Sequence, residues 1–279
     1  MTQPLVSVVI RTQNRPAFLK RALASVVAQT MSDWEVIIVN DGGPDISIDG
    51  LDKRVRIVRH KTCLGRSPAA NRGLNEACGD YAAFLDDDDT WEPTFLQETT
   101  EHLESGHTAV ATHVTKVLEV ISGDHIVTKK KYPHKPIKKS VQLFELAISN
   151  FLPIHSVVFC RQAALNVGGI DESLPLLEDW DLFLRLAERY EIDMIAKPLA
   201  NYHLRAKGNA SDEQNTVVQH RALCIYCENY IRNKYLRRDI KEGRFGLGTM
   251  LNMAEATRDL SLWRCLKNDL LRLKSKVFR

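Results

Sequence analysis

The stretch Tyr81-Ala82-Ala83-Phe84-Leu85 runs directly into four consecutive aspartates, Asp86-Asp87-Asp88-Asp89, and this junction constrains the fold more than any other feature of the chain. Five apolar or aromatic residues in a row have the length of a strand buried on both faces, as in a parallel sheet. Carboxylates at its C-terminal end then fall where open α/β sheets place their ligands. Four adjacent carboxylates repel one another, and a divalent cation is the usual agent that offsets such repulsion. The plainer alternative is a solvated acidic turn capping the next helix.

The upstream segments fit the same sheet. Val6-Ser7-Val8-Val9-Ile10 is a β-branched run, and Trp34-Glu35-Val36-Ile37-Ile38-Val39 a second, ended by Asn40-Asp41-Gly42-Gly43. Between them Phe18, Leu19, Ala22, Leu23, Val26 and Val27 recur at helical spacing after Pro16. Val55-Arg56-Ile57-Val58 is a third strand, and residues 67–77 form a helix closed by Gly79. The order β-α-β-β-α-β is a nucleotide-binding type of half-domain, which places Thr12, Asp41 and the aspartates together beyond the strand ends.

Downstream, residues 93–105 read as a helix, 109–121 as a strand, 140–149 as a short helix, 156–160 as a strand and 178–190 as an amphipathic helix. Residues 122–140, with Lys129, Lys130, Lys131, His134, Lys135, Lys138, Lys139 and two prolines, suggest a mobile basic loop that either is solvated or meets an anionic acceptor. From about residue 212 the chain reads as helical. The expected fold class is α/β, with a mostly parallel central sheet flanked by helices in residues 1–211 (a nucleotide half 1–105 and an acceptor half 106–211) and a helical extension in 212–279.

The bulk properties narrow the function classes. A formal net charge of +3 gives no ground for nucleic-acid binding. Six cysteines without framework spacing fit a reducing cytosol, and Cys224-x-x-Cys227 lacks the second ligand pair of a zinc site. The initial apolar run is too short for a signal peptide or a membrane span. The expected location is cytoplasmic; the C-terminal helices, where Trp263, Leu266 and Leu270 stand among basic residues, are expected to pack on the catalytic domain or on a second subunit in a homodimer, with peripheral contact at the inner membrane face as the alternative.

Glu178-Asp179-Trp180-Asp181 opens a helix, where carboxylates are favoured by the helix dipole and one of them can take a proton. Together, VSVVIRTQNRPAFLKRALASVVAQTMSDWEVIIVNDGG, GDYAAFLDDDDTWEPTFL and VGGIDESLPLLEDWDLFLRLA resemble the opening, the DxD segment and the Glu-Asp segment of the family 2 glycosyltransferases, which have the GT-A fold and include inverting enzymes. The resemblance spans roughly residues 5–205. It implies a nucleotide-sugar donor (a UDP-sugar by preference), Mn2+ or Mg2+ as cofactor, a saccharide or lipid-linked saccharide acceptor, and a setting in surface polysaccharide synthesis. Carried over by position, Thr12 and Arg15 match the nucleotide-contacting loop, Asp41 the base-recognising aspartate and Arg66 a basic residue near the nucleotide. Asp86 and Asp88 match the DxD pair at the metal, Asp88 as its direct ligand, with Asp87 or Asp86 nearer the ribose, and Asp179 matches the catalytic base. The chain departs from the family at Ala69-Ala70-Asn71, where an arginine is common, and at His203-Leu204-Arg205, where arginine usually precedes histidine; His203 is then a candidate metal neighbour and Arg205 a diphosphate contact. His155 is read as an acceptor-pocket or core histidine, and Trp180 likewise.

Two other readings compete. Residues 84–90 also spell the strand-DxDxT signature of haloacid-dehalogenase-like phosphatases, although that motif ends the first strand of its domain and here a strand-helix-strand unit precedes it. A catalytically inactive sugar-nucleotide scaffold is the other. A pyrophosphorylase expects a glycine-rich N-terminal loop, and Thr12-Gln13-Asn14-Arg15 has no glycine.

Overall fold

The computed structural model describes residues 3–48, 50–122, 125–135, 138–205 and 221–257. Its first half follows the strand-helix alternation. β1 (Val6–Thr12) is wholly buried, as β-branched residues flanked by strands on both sides should be. The helix α1 (Pro16–Val27) leads to β2 (Trp34–Asp41), then β3 (Val55–His60), α2 (Arg66–Glu76) and β4 (Tyr81–Asp86). All four strands are parallel, with β1 between β2 and β4: Ile10 lies opposite Ile38 and Leu85, and Arg11 opposite Asp86.

Alternate residues of β1 serve two layers. Val6, Val8 and Ile10 join Leu19, Ala22 and Val26 of α1, together with Phe95 and Leu96, in one core. Val9 faces α2, where Gly73 allows close approach: a Cβ there would come within 2.2 Å of a Val9 methyl. Each fully buried valine or isoleucine is worth roughly 1.5–3 kcal/mol, so the central ladder is the main anchor of the sheet.

The second half adds β5 (Thr90–Trp91), α3 (Phe95–Glu104), β6 (Ala109–Ser122), β7 (His125–Pro133), α4 (Leu143–Ile148), β8 (Val157–Cys160), α5 (Arg161–Asn166), α6 (Glu178–Ala187), β9 (Ile192–Arg205) and α7 (Arg221–Glu242). Among the described residues the sheet order is β3-β2-β1-β4-β8-β6-β9-β5, with β7 beside β6. β8 is antiparallel to both β4 and β6, β9 parallel to β6, and β5 antiparallel to β9.

Two segments differ from the sequence reading. Residues 125–133 are not a loop; they form β7, antiparallel to β6. Their lysines hide the strand from a pattern of alternating burial, yet an edge strand tolerates lysine well. The long strand β9 is obscured by Lys197-Pro198, and the structure absorbs the proline at register shifts around His113 of β6.

By packing, the chain divides into Met1–Val141 with Phe151–Cys227, and Gln142–Asn150 with Glu228–Arg279. In the second unit the Asp239 carboxylate accepts from the N–H groups of Gly246 and Thr249, capping a helix at 247–257. Arg232 ties the two helices by pairing with Glu228 and Glu255. Among the described residues no helix is long and apolar enough to cross a membrane. Trp263, Leu266, Leu270 and the rest of the basic tail lie outside the described residues.

Candidate active site

β4 ends at Asp86, and a turn closed by the Asp89 N–H to the Asp86 carbonyl (3.0 Å) fans the four carboxylates in different directions. Each meets its own partner. Asp86 accepts from Arg11 at 2.5 Å. Asp87 accepts from the Thr12 hydroxyl at 2.6 Å and from Arg15. Asp88 is held between Arg15 (3.1 Å) and Arg205. Asp89 accepts the His203 N–H at 2.8 Å and lies 2.9 Å from Nδ1 of His155. The sheet dictates this arrangement, because Arg11 and Thr12 end the strand beside β4 and Arg205 ends β9. Much of the repulsion that seemed to require a metal is therefore balanced by three guanidiniums of the chain itself.

The electrostatics differ within the cluster. Burial works against ionisation of Asp86, but Arg11, Arg66 and His155 hold its carboxyl well below the usual range. Burial likewise opposes ionisation of Asp88, and Arg15 and Arg205 pull its carboxyl down. Burial pushes Asp87 up, against the pull of Arg15. His155 is raised: burial disfavours its charge, and Asp89 more than compensates.

α6 delivers the second acidic pair. Arg11 donates to Glu178 at 2.8 Å as well as to Asp86, so one buried guanidinium ties the start of α6 to the end of β4. Leu177, in the left-handed region at φ 61°, turns the chain into the helix. Asp179 follows, with its carboxylate accepting the Trp180 N–H at 2.7 Å. Burial and the neighbouring Glu178 push Asp179 up to about 7, a value suited to accepting a proton near neutrality. Arg66, at the start of α2, stands 3.8 Å from Glu178. Trp180 is buried.

Asp41 ends β2 and is gripped by a loop. It accepts the N–H groups of Leu64 (2.9 Å) and Gly65 (2.8 Å) and pairs with His60 at 2.8 Å. Burial opposes its ionisation, and these bonds, the Leu64 N–H foremost, hold its carboxyl low. Gly42, at φ 73°, lets the Cys63 backbone pass where a Cβ would sit 2.2 Å from its nitrogen.

The structure thus brings Thr12, Arg15, Arg66, Asp86, Asp87, Asp88, Asp179 and Arg205 to one end of the sheet, with Asp41 on the neighbouring strand end. His203 also arrives there, with its ring already engaged: Nδ1 lies 2.6 Å from Glu119 and Nε2 2.9 Å from Thr90. His155 is at the cluster rather than in a separate pocket, and its Nε2 is buried without a hydrogen-bond partner. Among the described residues, donor atoms of Asp86, Asp89 and His155 lie within 4.8 Å of one another. Two carboxylates and an imidazole with a spare nitrogen suit a divalent cation such as Mn2+.

Several contributors have no signature of their own in the sequence. Arg11 and Glu178 form the buried bridge. Glu119 receives Arg21 at 2.8 Å, and Arg21 also donates to the Asp88 carbonyl at 2.6 Å, bracing the turn. Glu119 sits mid-strand in β6, and only a charged residue in a strand's buried pattern hinted at it. Asn71 exchanges bonds of 2.8 Å with the backbone of Ile170, which orients the approach to α6.

A half-parallel sheet with this acidic strand end defines the class: an α/β fold of GT-A type. The TarS protein of S. aureus, solved with UDP-GlcNAc, aligns at a TM-score of 0.62 with 16% identity, covering 83% of this chain and 66% of that one. The same protein with UDP gives 0.56 and 17%, covering 72% and 60%; this chain therefore spans about two thirds or less of those solved chains. Residues 7–167 match the family described as Glycosyl transferase family 2, and the chain belongs to that family. An uncharacterized glycosyltransferase of Methanocaldococcus jannaschii is 28% identical over 221 residues, 75% of this chain and 74% of the relative. The amylovoran biosynthesis glycosyltransferase AmsB of Erwinia amylovora is 29% identical over 214 residues, 71% of this chain and 69% of the relative. The chain is a glycosyltransferase.

Proposed function

We propose that this enzyme moves a sugar from a UDP-sugar to an acceptor hydroxyl by direct displacement with inversion, in the synthesis of a surface polysaccharide. The observation that carries the reading is Arg11: by bridging Asp86 and Glu178 it sets the aspartate cluster and Asp179 side by side. The bound nucleotide of TarS supports the donor, and the activity in the name of AmsB supports the setting.

In this scheme Asp41 and Thr12 position the nucleoside, and Arg15, Arg66 and Arg205 face its diphosphate. Asp86 and Asp88, with Asp89 and His155 beside them, would hold Mn2+ or Mg2+, which when bound supplies positive charge against the leaving diphosphate. Asp179 takes the proton of the acceptor hydroxyl as that oxygen attacks the anomeric carbon; the glycosidic bond to the diphosphate breaks, and the proton stays on the carboxyl. The domain reading of 1–211 as catalytic and 212–279 as an extension belongs to the same proposal.

Asp179→Asn tests it. Transfer from a UDP-sugar falls by about 10²- to 10⁴-fold while UDP affinity is kept. Wild-type turnover in the variant would remove Asp179 from the mechanism, and release of phosphate from aryl phosphates by the wild type would favour the phosphatase reading.

A further inference from the structure

We propose that the acceptor carries a phosphoryl group and that the basic cavity beside β7, walled by His134, Lys135 and Lys138 with Lys116 next to it, receives that group. This rests on the transfer reading above and names the acceptor class that reading leaves open.

The cavity is lined by His113 and His134, by Lys135 and Lys138, and by Phe151 and Met194. The ammonium of Lys138 lies 4.7 Å from the centre of the Phe151 ring. Neither Lys116 nor Lys135 has an ion-pair partner among the described residues. The consequence is visible in the neighbours: burial and the charges of Lys116 and Lys135 push His134 down to about 3, and burial with Lys135 lowers Lys116 as well. Nδ1 of His134 is buried without a hydrogen-bond partner. Like charges gathered around an unsatisfied imidazole form a place where an anion lowers the energy of the folded chain.

Its location ties this place to the reaction. In the sheet Lys116 pairs with Tyr202 of β9, and the Tyr202 ring stands between His134 (5.9 Å between ring centres) and His155 (5.7 Å). His155 in turn touches Asp89. The cavity wall at Phe151 and Leu152 continues through Pro153 and Ile154 to His155, so one segment serves both sites. The sheet order puts β6 and β7 on the opposite side of β4 from β2, which carries Asp41. An anion in the cavity therefore lies one aromatic ring from the aspartate cluster, on the side away from the proposed nucleoside contacts. The lysine ammoniums are compact point charges, the neutral His134 ring adds one N–H, and no arginine fork lines the cavity; that suits a phosphoryl oxygen better than bidentate capture of a carboxylate.

The test uses the full chain saturated with UDP and Mg2+, so that the donor site is closed to added anion. Inorganic phosphate is titrated at constant ionic strength while the histidine ring C–H resonances are followed by NMR. The expected result is a saturable shift of the His134 resonance towards its protonated position. In Lys116→Gln/Lys135→Gln phosphate binding is about tenfold weaker or more, as loss of two charged contacts implies, and UDP affinity is unchanged. An unmoved His134, or a variant that binds phosphate like the wild type, overturns the proposal. If UDP itself does not bind, the donor reading fails, and the His134 response to phosphate still reads the cavity. Vesicles of phosphatidylglycerol and of phosphatidylcholine separate the two sources of a phosphoryl group. Pelleting with the former alone, lost in the variant, assigns a lipid headgroup. A response to inorganic phosphate without pelleting assigns a soluble phosphorylated saccharide.

Discussion

Arg11 has one side chain for two carboxylates, and its bond to Glu178 runs through protein interior: the guanidinium is 6% exposed and Glu178 2%, while Asp86 keeps 28% of its side chain exposed. Removing it leaves Glu178 buried without that counter-charge and loosens Asp86, and breaking a buried pair from one side costs about 3–5 kcal/mol. Arg11→Gln therefore lowers the free energy of unfolding in urea by about that amount, and the start of α6 loosens with it; a loss under about 1 kcal/mol, the scale of an exposed pair, would show that the bridge holds nothing together. Asp179 makes a different prediction. Its carboxyl is pushed up to about 7, so the basic form needed for proton removal appears only as pH rises through that value, and kcat/KM rises with it. A pH–rate profile flat from about pH 5 to 8 would contradict this assignment. The sign for stability is the reverse. Between the unfolded value near 4 and the folded value near 7, folded Asp179 holds the proton more tightly than the unfolded chain, so its contribution is present at low pH and is lost as pH rises through about 7. Asp41 and Asp86, both lowered, contribute above the unfolded value and lose that contribution as pH falls.

The packing of α2 on the sheet turns on one missing methyl. Alanine at position 73 gains helix propensity of about 1 kcal/mol over glycine, but its Cβ would stand 2.2 Å from one Val9 methyl and 3.2 Å from a Val39 methyl. Both valines are fully buried in central strands and cannot swing aside. Overpacking of this kind costs about 1–3 kcal/mol, so Gly73→Ala is net destabilising, and Val9→Ala/Gly73→Ala recovers part of the loss despite deleting two core methyls. Thermal melts of the two variants decide it: a double variant less stable than Gly73→Ala would place the strain elsewhere. Elements of this kind were legible in the sequence, because β1, β2 and β4 are buried on both faces and show as apolar runs interrupted only by Ser7 and Glu35 before their polar ends. β7 and β9 were not. β7 is an edge strand whose exposed lysines mimic a loop, and β9 carries a proline that only its pairing with β6 makes tolerable. Asp86–Asp89, Asp41 and Asp179 were legible as strand-end or helix-start carboxylates. Their partners Arg11, Arg21 and Glu119 were not, since each acts through contacts 67 or more residues away in sequence and lacks a local motif, and His155 was read as a pocket or core residue rather than as the partner of Asp89.

At the scale of the whole molecule the site is assembled from β1, β4, β9, the turn before β8 and the start of α6, and its charge is nearly balanced before any ligand arrives. Arg15 and Arg205 hold Asp87 and Asp88, and His155 holds Asp89. A nucleoside diphosphate would compete for those guanidiniums and release carboxylates, and a cation would then stabilise the carboxylates so released. The two ligands should consequently bind with positive coupling: each removes the partner that the other displaces. In thermal melts UDP alone and Mn2+ alone give small shifts, and the pair gives more than their sum. A ligand at about a hundred times its dissociation constant adds about 2.7 kcal/mol, a shift of several degrees for a unit of this size. EDTA returns the doubly liganded protein to the small shift of UDP alone, and Arg205→Gln weakens UDP binding while reducing the coupling, because Asp88 is then already free. Strict additivity of the two shifts, or a UDP shift indifferent to EDTA, would show that the arginines alone neutralise the cluster and that the aspartates need no metal.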